Sequence, residues 1–276
     1  MRIDAHQHFW NFDPVRDSWI DESMKVIQKD FSPEDLLLEL RSKGIDGCIA
    51  VQADQSPKET QYLLGLSHQH PWIKKVVGWV DLSAPDIEGQ LERYQAEKNL
   101  AGFRKILQAL PPSAMEEEAF LKGISLLSKY QFTYDILIFP KHLPATLEFV
   151  KKFPDQAFII DHLAKPDIKN GEFDNWSKGI KKLSEFPNLY CKVSGMVTEA
   201  DWKKWKKEDF NPYLDHITDS FGTERLIYGS DWPVCLVAAS YEQVFDLAWK
   251  YIQSFTEDEK AAIFGGNACK FYGINA

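Results

Sequence analysis

Two histidines separated by one residue, His6-Gln7-His8, stand near the start of the chain. An aspartate, Asp231, stands near its end, within Gly229-Ser230-Asp231-Trp232-Pro233. Imidazoles accept and donate protons near neutrality and ligate divalent metals, and a carboxylate can take a proton from an attacking water. Side chains alternate faces along a strand, so His6 and His8 at the end of one strand point the same way. Asp231 follows a second apolar run, Leu226-Ile227-Tyr228. About 220 residues separate the two segments, the length of a closed barrel of strands and helices. If the first and last strands are neighbours, both imidazoles and the carboxylate meet in one polar site.

The elements that must position these groups recur eight times as apolar, β-rich runs: Arg2–His8, Asp46–Ala53, Val76–Leu82, Ala101–Leu107, Phe132–Phe139, Ala157–Leu163, Leu189–Gly195 and Arg225–Asp231. Several are apolar on both faces, as parallel strands covered by helices must be. Helical patterns lie between them. Ser32-Pro33-Glu34-Asp35 is a start signal, with an N-cap serine and an acid three residues on; Gly44 ends that helix. Glu116–Tyr130, Leu143–Phe153, Trp176–Phe186, Ala200–Phe221 and Tyr241–Phe255 read similarly. The lysine-rich stretch Trp202–Lys207 is then a solvated helix face, and Asn267 after Gly265-Gly266 caps a last helix. The pattern predicts an α/β fold, a single-domain (β/α)8 barrel over residues 1–276.

Loops after the predicted strands are long and aromatic, whereas loops entering them are short, as expected when the strand ends carry the active site. Those ends supply further candidates. Strand 2 gives Gln52, which can face either way. Strand 4 gives Arg104 and Lys105, of which at most one faces the barrel while the other pairs with acids outside. Strand 6 gives Asp161 and His162, as site residues or as a local turn. His6, His8, His162 and Asp231 together could hold zinc through three nitrogens and one oxygen.

Net charge is −9 with a pI near 5.3, which argues against nucleic acid or an anionic membrane as partner. No apolar stretch approaches the roughly 18 residues of a membrane span. Cys48, Cys191, Cys235 and Cys269 are scattered without a CxxC spacing, which fits free thiols in a reducing compartment. With no apolar signal region at Met1-Arg2-Ile3, a cytoplasmic location is expected. No isolated motif indicates an oligomeric state.

Five motifs in order, His6-Gln7-His8, Gly102-Phe103-Arg104, Asp161-His162-Leu163-Ala164-Lys165-Pro166, Lys192-Val193-Ser194-Gly195-Met196 and Gly229-Ser230-Asp231-Trp232-Pro233, resemble the amidohydrolase superfamily. Within it they are similar to the branch of sugar-lactone and pyrone-dicarboxylate hydrolases, the L-fuconolactonase and L-rhamnonolactonase group. The resemblance implies a (β/α)8 barrel and hydrolysis by water that Asp231 activates. It puts His6, His8 and His162 around the substrate carbonyl or a metal, with Arg104 on substrate oxygens. Members with a full metal site usually offer another ligand from strand 4 or 5. Here the strand 5 run ends Leu137-Ile138-Phe139-Pro140, His142 lies further out, and only Lys105 could serve. The implied catalysis therefore needs no cofactor, with zinc as an optional occupant. Trp10, Trp79 and Trp232 suit the C–H face of a sugar, and Lys165 and Glu199 suit its hydroxyls or carboxylate. The expected substrate is a small aldonolactone. The competing readings are a zinc-dependent hydrolase or decarboxylase of the same superfamily, and a non-catalytic binding or scaffold barrel.

Overall fold

In the computed structural model, which describes residues 1–275, eight parallel strands pair in sequence order. They are β1 (Ile3–Gln7), β2 (Gly47–Val51), β3 (Ile73–Gly78), β4 (Leu100–Lys105), β5 (Thr133–Ile136), β6 (Phe158–Ile160), β7 (Leu189–Val193) and β8 (Leu226–Tyr228). The sheet closes beyond the end of β8. Gln7 bridges Trp232, His8 N donates to Trp232 O at 2.7 Å, and Asp231 N donates to His6 O at 2.8 Å. This closure makes the first and last strands neighbours, as the expected barrel requires.

Each strand is followed by a helix: α1 (Pro33–Ser42), α2 (Pro57–Gln69), α3 (Ile87–Tyr94), α4 (Glu118–Leu127), α5 (Leu143–Lys151), α6 (Asp174–Leu183), α7 (Asn211–Phe221) and α8 (Tyr241–Tyr251). Two short helices follow, α9 (Glu257–Ala261) and α10 (Asn267–Tyr272). The capping box at Ser32 and Asp35 forms as the sequence predicts. The helix expected over Ala200–Phe221 does not. Only Asn211–Phe221 is α-helical, because Pro212 lacks an N–H and its ring would strike a carbonyl four residues back in a continuous helix. Trp202–Lys207 is turn and loop up to Lys206, and Lys207 opens a short 3-10 helix to Asp209, with Trp202 Nε1 bonded to Thr198 O and Trp205 Nε1 to Ala238 O. Asn267 is no cap either: it is the first residue of α10, and its Nδ2 donates to Thr223 O and Leu226 O, tying that helix to β8.

Strand ladders are shorter than the apolar runs. Leu137, Ile138 and Leu163 are buried in connections rather than in strands. β3 begins at Ile73, earlier than its apolar run, where Lys74 and Lys75 mask the start.

The barrel interior is layered. Its floor holds Ile3, Ala5, Ile49, Ile159 and Ile227, closed from below by Phe271 and Tyr272 of α10. Burying each large apolar side chain contributes about 1.5–3 kcal/mol. An irregularity between Asp4 and Gln7 in the β1–β2 pairing lets Ala5 join the floor while His6 enters the polar layer above.

Candidate active site

β1 aims His6 and His8 into the barrel mouth, and the closing segment brings Asp231 to them. Asp231 Oδ1 lies 3.5 Å from His8 Nε2 and 3.8 Å from both His6 Nε2 and His162 Nε2. Asp231 is in the left-handed region at φ 59°. Gly229 permits the approach of the two chains, since a Cβ there would lie 2.6 Å from His6 Cβ. Below, Asp4 clamps both strands. Its carboxylate accepts from Ser230 N at 2.9 Å, His6 N at 3.2 Å and Tyr241 Oη at 3.1 Å, and burial pushes its pKa up to about 6.

His162 arrives by a different route. Ile159 lines the barrel floor, so alternation carries Asp161 inward too. A continuing strand would send His162 out. Instead His162, Leu163, Ala164 and Lys165 are all left-handed, with φ of 54°, 54°, 59° and 50°. The turn coils the chain so that two adjacent residues enter one cavity. Each such residue costs about 1–2 kcal/mol. The turn is held by Trp176 Nε1 donating to Leu163 O at 2.6 Å and by Ser194 Oγ at 2.9 Å from His162 Nδ1. Gly195 backs the imidazole: a Cβ there would fall 2.4 Å from His162 Nδ1.

Beneath these groups lies an ionic layer. Arg104 turns inward, as one of the Arg104–Lys105 pair must, and Lys105 lies outside. Its Nζ sits 5.0 Å over the Phe120 ring, a cation–π contact in place of the expected acid. Arg104 Nη1 is 3.0 Å from Asp161 Oδ2 and 3.2 Å from His6 Nε2, and Nη2 donates to Gln52 O. The expectation that Arg104 grips substrate oxygens meets a guanidinium whose terminal nitrogens are already engaged by the protein. Gln52 completes the link, its Nε2 donating to Arg104 O at 3.0 Å.

Lys192 on β7 opens one of the five motifs but is given no role there, and Asp135 on β5 is not singled out at all. Lys192 Nζ lies 2.5 Å from Asp135 Oδ2, 3.0 Å from Asp161 Oδ1 and 3.1 Å from His6 Nδ1, all fully buried. Tyr272 Oη donates to Asp135 Oδ2 at 2.9 Å. A signal for Lys192 was present: it precedes Ser194 by two, so both share the inward face. Asp135 had none beyond a lone acid in an apolar run.

Burial drives the imidazoles of His6 and His8 below their ordinary range and that of His162 down to about 4, so all three are neutral near pH 7. Burial alone would raise Asp161 and Asp231. Lys192 and Arg104 help hold Asp161 well below the usual carboxylate range, and in the acid range, once they gain protons, the imidazoles hold Asp231 below it.

The other expected contacts divide. Lys165 and Glu199 pair at 3.1 Å in a cavity of about 810 Å³, lined also by Phe139, Thr198 and Trp202. Trp10 is buried 6.4 Å from His8, with Nε1 bonded to Lys29 O. Trp232 is buried against Phe9 and Phe31, a packing position rather than an exposed rim. Trp79 is half-buried, with its backbone tied to Thr60 Oγ1. His142 is buried away from the site, bonded to Leu110 O.

The donor set suits a borderline divalent ion. His8 Nδ1 is 2.7 Å from Val51 O, a carbonyl that only accepts, so Nδ1 carries the proton and Nε2 presents a lone pair beside Asp231. His6, His8 and Asp231 offer ligand atoms within 4.8 Å of one another. Val51 O and Ser194 Oγ support the outer ring nitrogens of His8 and His162 as partners of metal-bound histidines do.

Comparison with known proteins agrees with this fold. An L-fucono-1,5-lactonase of Burkholderia multivorans is 34% identical over 286 residues, covering 99% of this chain and 96% of the relative. An L-rhamnono-gamma-lactonase of Scheffersomyces stipitis is 27% identical, covering 63% of this chain and 59% of the relative. A crystal structure of an amidohydrolase from Burkholderia multivorans with bound zinc superposes with a TM-score of 0.96 at 34% identity, covering 100% of both chains. The amidohydrolase family model matches residues 3–274. With the barrel, the strand-end histidines and the closing aspartate in place, the chain belongs to the amidohydrolase family.

Proposed function

We propose that this protein is a lactonase that opens a small sugar-acid lactone, an aldonolactone of the L-fuconolactone or L-rhamnonolactone type. The observation that carries the reading is Asp231 Oδ1 facing the Nε2 atoms of His6, His8 and His162 in a cluster of buried side chains. The names of the two lactonase relatives support the substrate class.

A lactone needs less activation than an amide. An attacking water can donate one O–H to Asp231 and the other to the His8 Nε2 lone pair, which leaves its own lone pair for the carbonyl carbon. Asp231 takes the proton as the C–O bond forms, an assistance of about 10²–10⁴-fold. The tetrahedral oxyanion needs fixed N–H donors, each contributing roughly 3 kcal/mol in comparable sites. With the terminal nitrogens of Arg104 engaged, the imidazoles of His6 and His162 are the candidates. Protonated Asp231 then returns its proton to the leaving ring oxygen. Lys165 and Glu199 stand beside this cluster as contacts for hydroxyls or the product carboxylate, with Trp10 as an apolar wall. His6, His8, His162 and Asp231 would hold zinc, which when bound polarises the carbonyl or the water. We read it as an optional occupant, because every proton transfer has a protein group. Four free cysteines fit a cytoplasmic enzyme.

A pH-indicator assay over a panel of aldonolactones tests the assignment, since ring opening releases acid. Six-carbon aldonolactones should be preferred over peptides, nucleosides and phosphate esters; a large preference for a dicarboxylated pyrone would overturn the sugar assignment. The bound zinc in the similar crystal structure favours a second reading, a zinc-dependent hydrolase. Chelator treatment should leave most lactonase activity. Activity that vanishes and returns with zinc would select the second reading.

A further inference from the structure

An ion pair beside the imidazole cluster faces the cavity of about 810 Å³. Lys165 ends the left-handed turn that carries His162, its N–H donating to His162 O at 2.6 Å. Glu199 lies on the segment whose Gly195 backs the same imidazole, and Thr198 Oγ1 ties that segment to Gly195 O at 2.7 Å. The two side chains meet at 3.1 Å and are 16% and 17% exposed. Their pairing does not exhaust them. An ammonium has three donors and a carboxylate about four acceptor sites, so both keep capacity for a ligand. The cavity lining carries four lysines and four carboxylates and, among the described residues, no arginine. Its formal charge therefore cancels, and it lacks the guanidinium forks that grip carboxylates in pairs of bonds. A hydroxyl both donates and accepts, so it can donate to Glu199 and accept from Lys165 while the pair stays together. A ligand carboxylate only accepts. It must draw Lys165 away from Glu199 or lie against Glu199, and either way two like charges share a partly desolvated cleft.

We propose that Glu199, held beside Lys165, is a specificity-determining residue that admits uncharged polyhydroxylated lactones and rejects those with a carboxylate remote from the ring carbonyl. The proposal rests on the lactonase reading and deepens it. The reacting carbonyl belongs to the cluster around Asp231, and the remote part of the substrate belongs to the Lys165–Glu199 pair. Phe139 and Trp202 line the same cavity, and Trp202 is fixed by Nε1 donating to Thr198 O at 2.8 Å, so an apolar surface for the C–H face of a sugar stands next to the pair. With the Glu199 charge removed, the preference inverts, because Lys165 becomes a cation with no acid opposite it.

The test titrates two pairs of acids into the full chain by calorimetry at constant ionic strength: L-galactonate with galactarate, and L-mannonate with L-mannarate. Within a pair the stereochemistry from C2 to C5 is shared, and C6 changes from hydroxymethyl to carboxylate. In the better-bound pair the parent chain should hold the aldarate about tenfold more weakly than the aldonate. Glu199→Gln keeps the shape and removes the charge. It should bind the aldarate about tenfold more tightly than the parent does, and the aldonate about tenfold more weakly, so the order reverses. Lys165→Met should give the aldarate no gain. The kcat/KM values for the corresponding lactones should move in the same sense. Equal affinity of the parent for both members of a pair overturns the proposal, and so does a Glu199→Gln chain in which both shift alike. The parent comparison decides on its own if the variant does not fold. A chain inactive on every lactone whose acid preference still reverses in Glu199→Gln would refute the lactonase reading alone. An active lactonase indifferent to the C6 carboxylate would refute this proposal alone, and a chain that neither binds these acids nor opens a lactone would refute both.

Discussion

The upper and lower halves of the barrel are built by different rules. The floor obeys simple alternation: Ile3, Ile49, Ile159 and Ile227 point to the axis, and Phe271 and Tyr272 seal it. The mouth departs from regular backbone at each element that carries a candidate residue. Pairing slips between Asp4 and Gln7, four left-handed residues follow Asp161, and Asp231 is left-handed. Strain of this kind persists only where the surroundings over-determine it. Here the supports are Asp4, Trp176, Ser194 and the ionic layer. The difference teaches that the floor supplies stability while the mouth consumes some of it to converge three imidazoles on one carboxylate.

That division can be broken most decisively at the mouth. Asp231→Asn removes the proton acceptor and keeps the shape, so turnover should fall about 10²–10⁴-fold with little change in Tm. Steady-state rates beside a melting curve check it, and turnover within tenfold of the parent would release Asp231 from the role.

The layer between the halves should show both behaviours. Arg104→Met leaves Asp161 with one cation fewer, at a cost of about 3–5 kcal/mol. It should lower kcat more than it raises KM, because the guanidinium holds His6 and Asp161 rather than substrate. Lys105→Met, on the outside, loses a cation–π contact of about 0.5–1 kcal/mol and should leave kinetics unchanged. A pure KM effect in Arg104→Met would restore direct substrate binding.

For the floor the expectation reverses. Phe271→Ala should cost about 3–5 kcal/mol in denaturant unfolding. The folded fraction should keep its KM. A KM shift comparable to the stability loss would mean that the halves are not separable.

The smallest effect concerns pH. His162 stays neutral until pH falls to about 4, and Asp231, held below the ordinary carboxylate range, stays ionised. kcat/KM should therefore stay level from neutrality down to about pH 4 and drop below it as His162 gains a proton. Initial rates in short assays measure this; an acid limb near pH 6.5, the ordinary imidazole value, would show that burial does not control these groups.

Much of this was legible in the chain itself. His6 and His8 share a face because alternation is a property of any strand. Eight alternations of apolar run and helix, the capping box at Ser32 and the long loops after strands are local signals, and they specified the barrel and its working end. They also set limits: Pro212 carried the signal that stops a helix from running through 200–221, although the apolar periodicity suggested one. Other features have no local cause. Nothing in Asp161-His162 requires four successive left-handed residues; that turn exists because Trp176, Ser194 and the space above Gly195 stabilise it from other elements. Asp135 and Lys192 lie on different strands, 57 residues apart, and meet only because the closed barrel places β5 and β7 around one axis with Tyr272 rising between them. Alternation and capping act within a few residues and can be read in sequence. The partners of a buried charge are set by closure and register, and only the tertiary structure decides them.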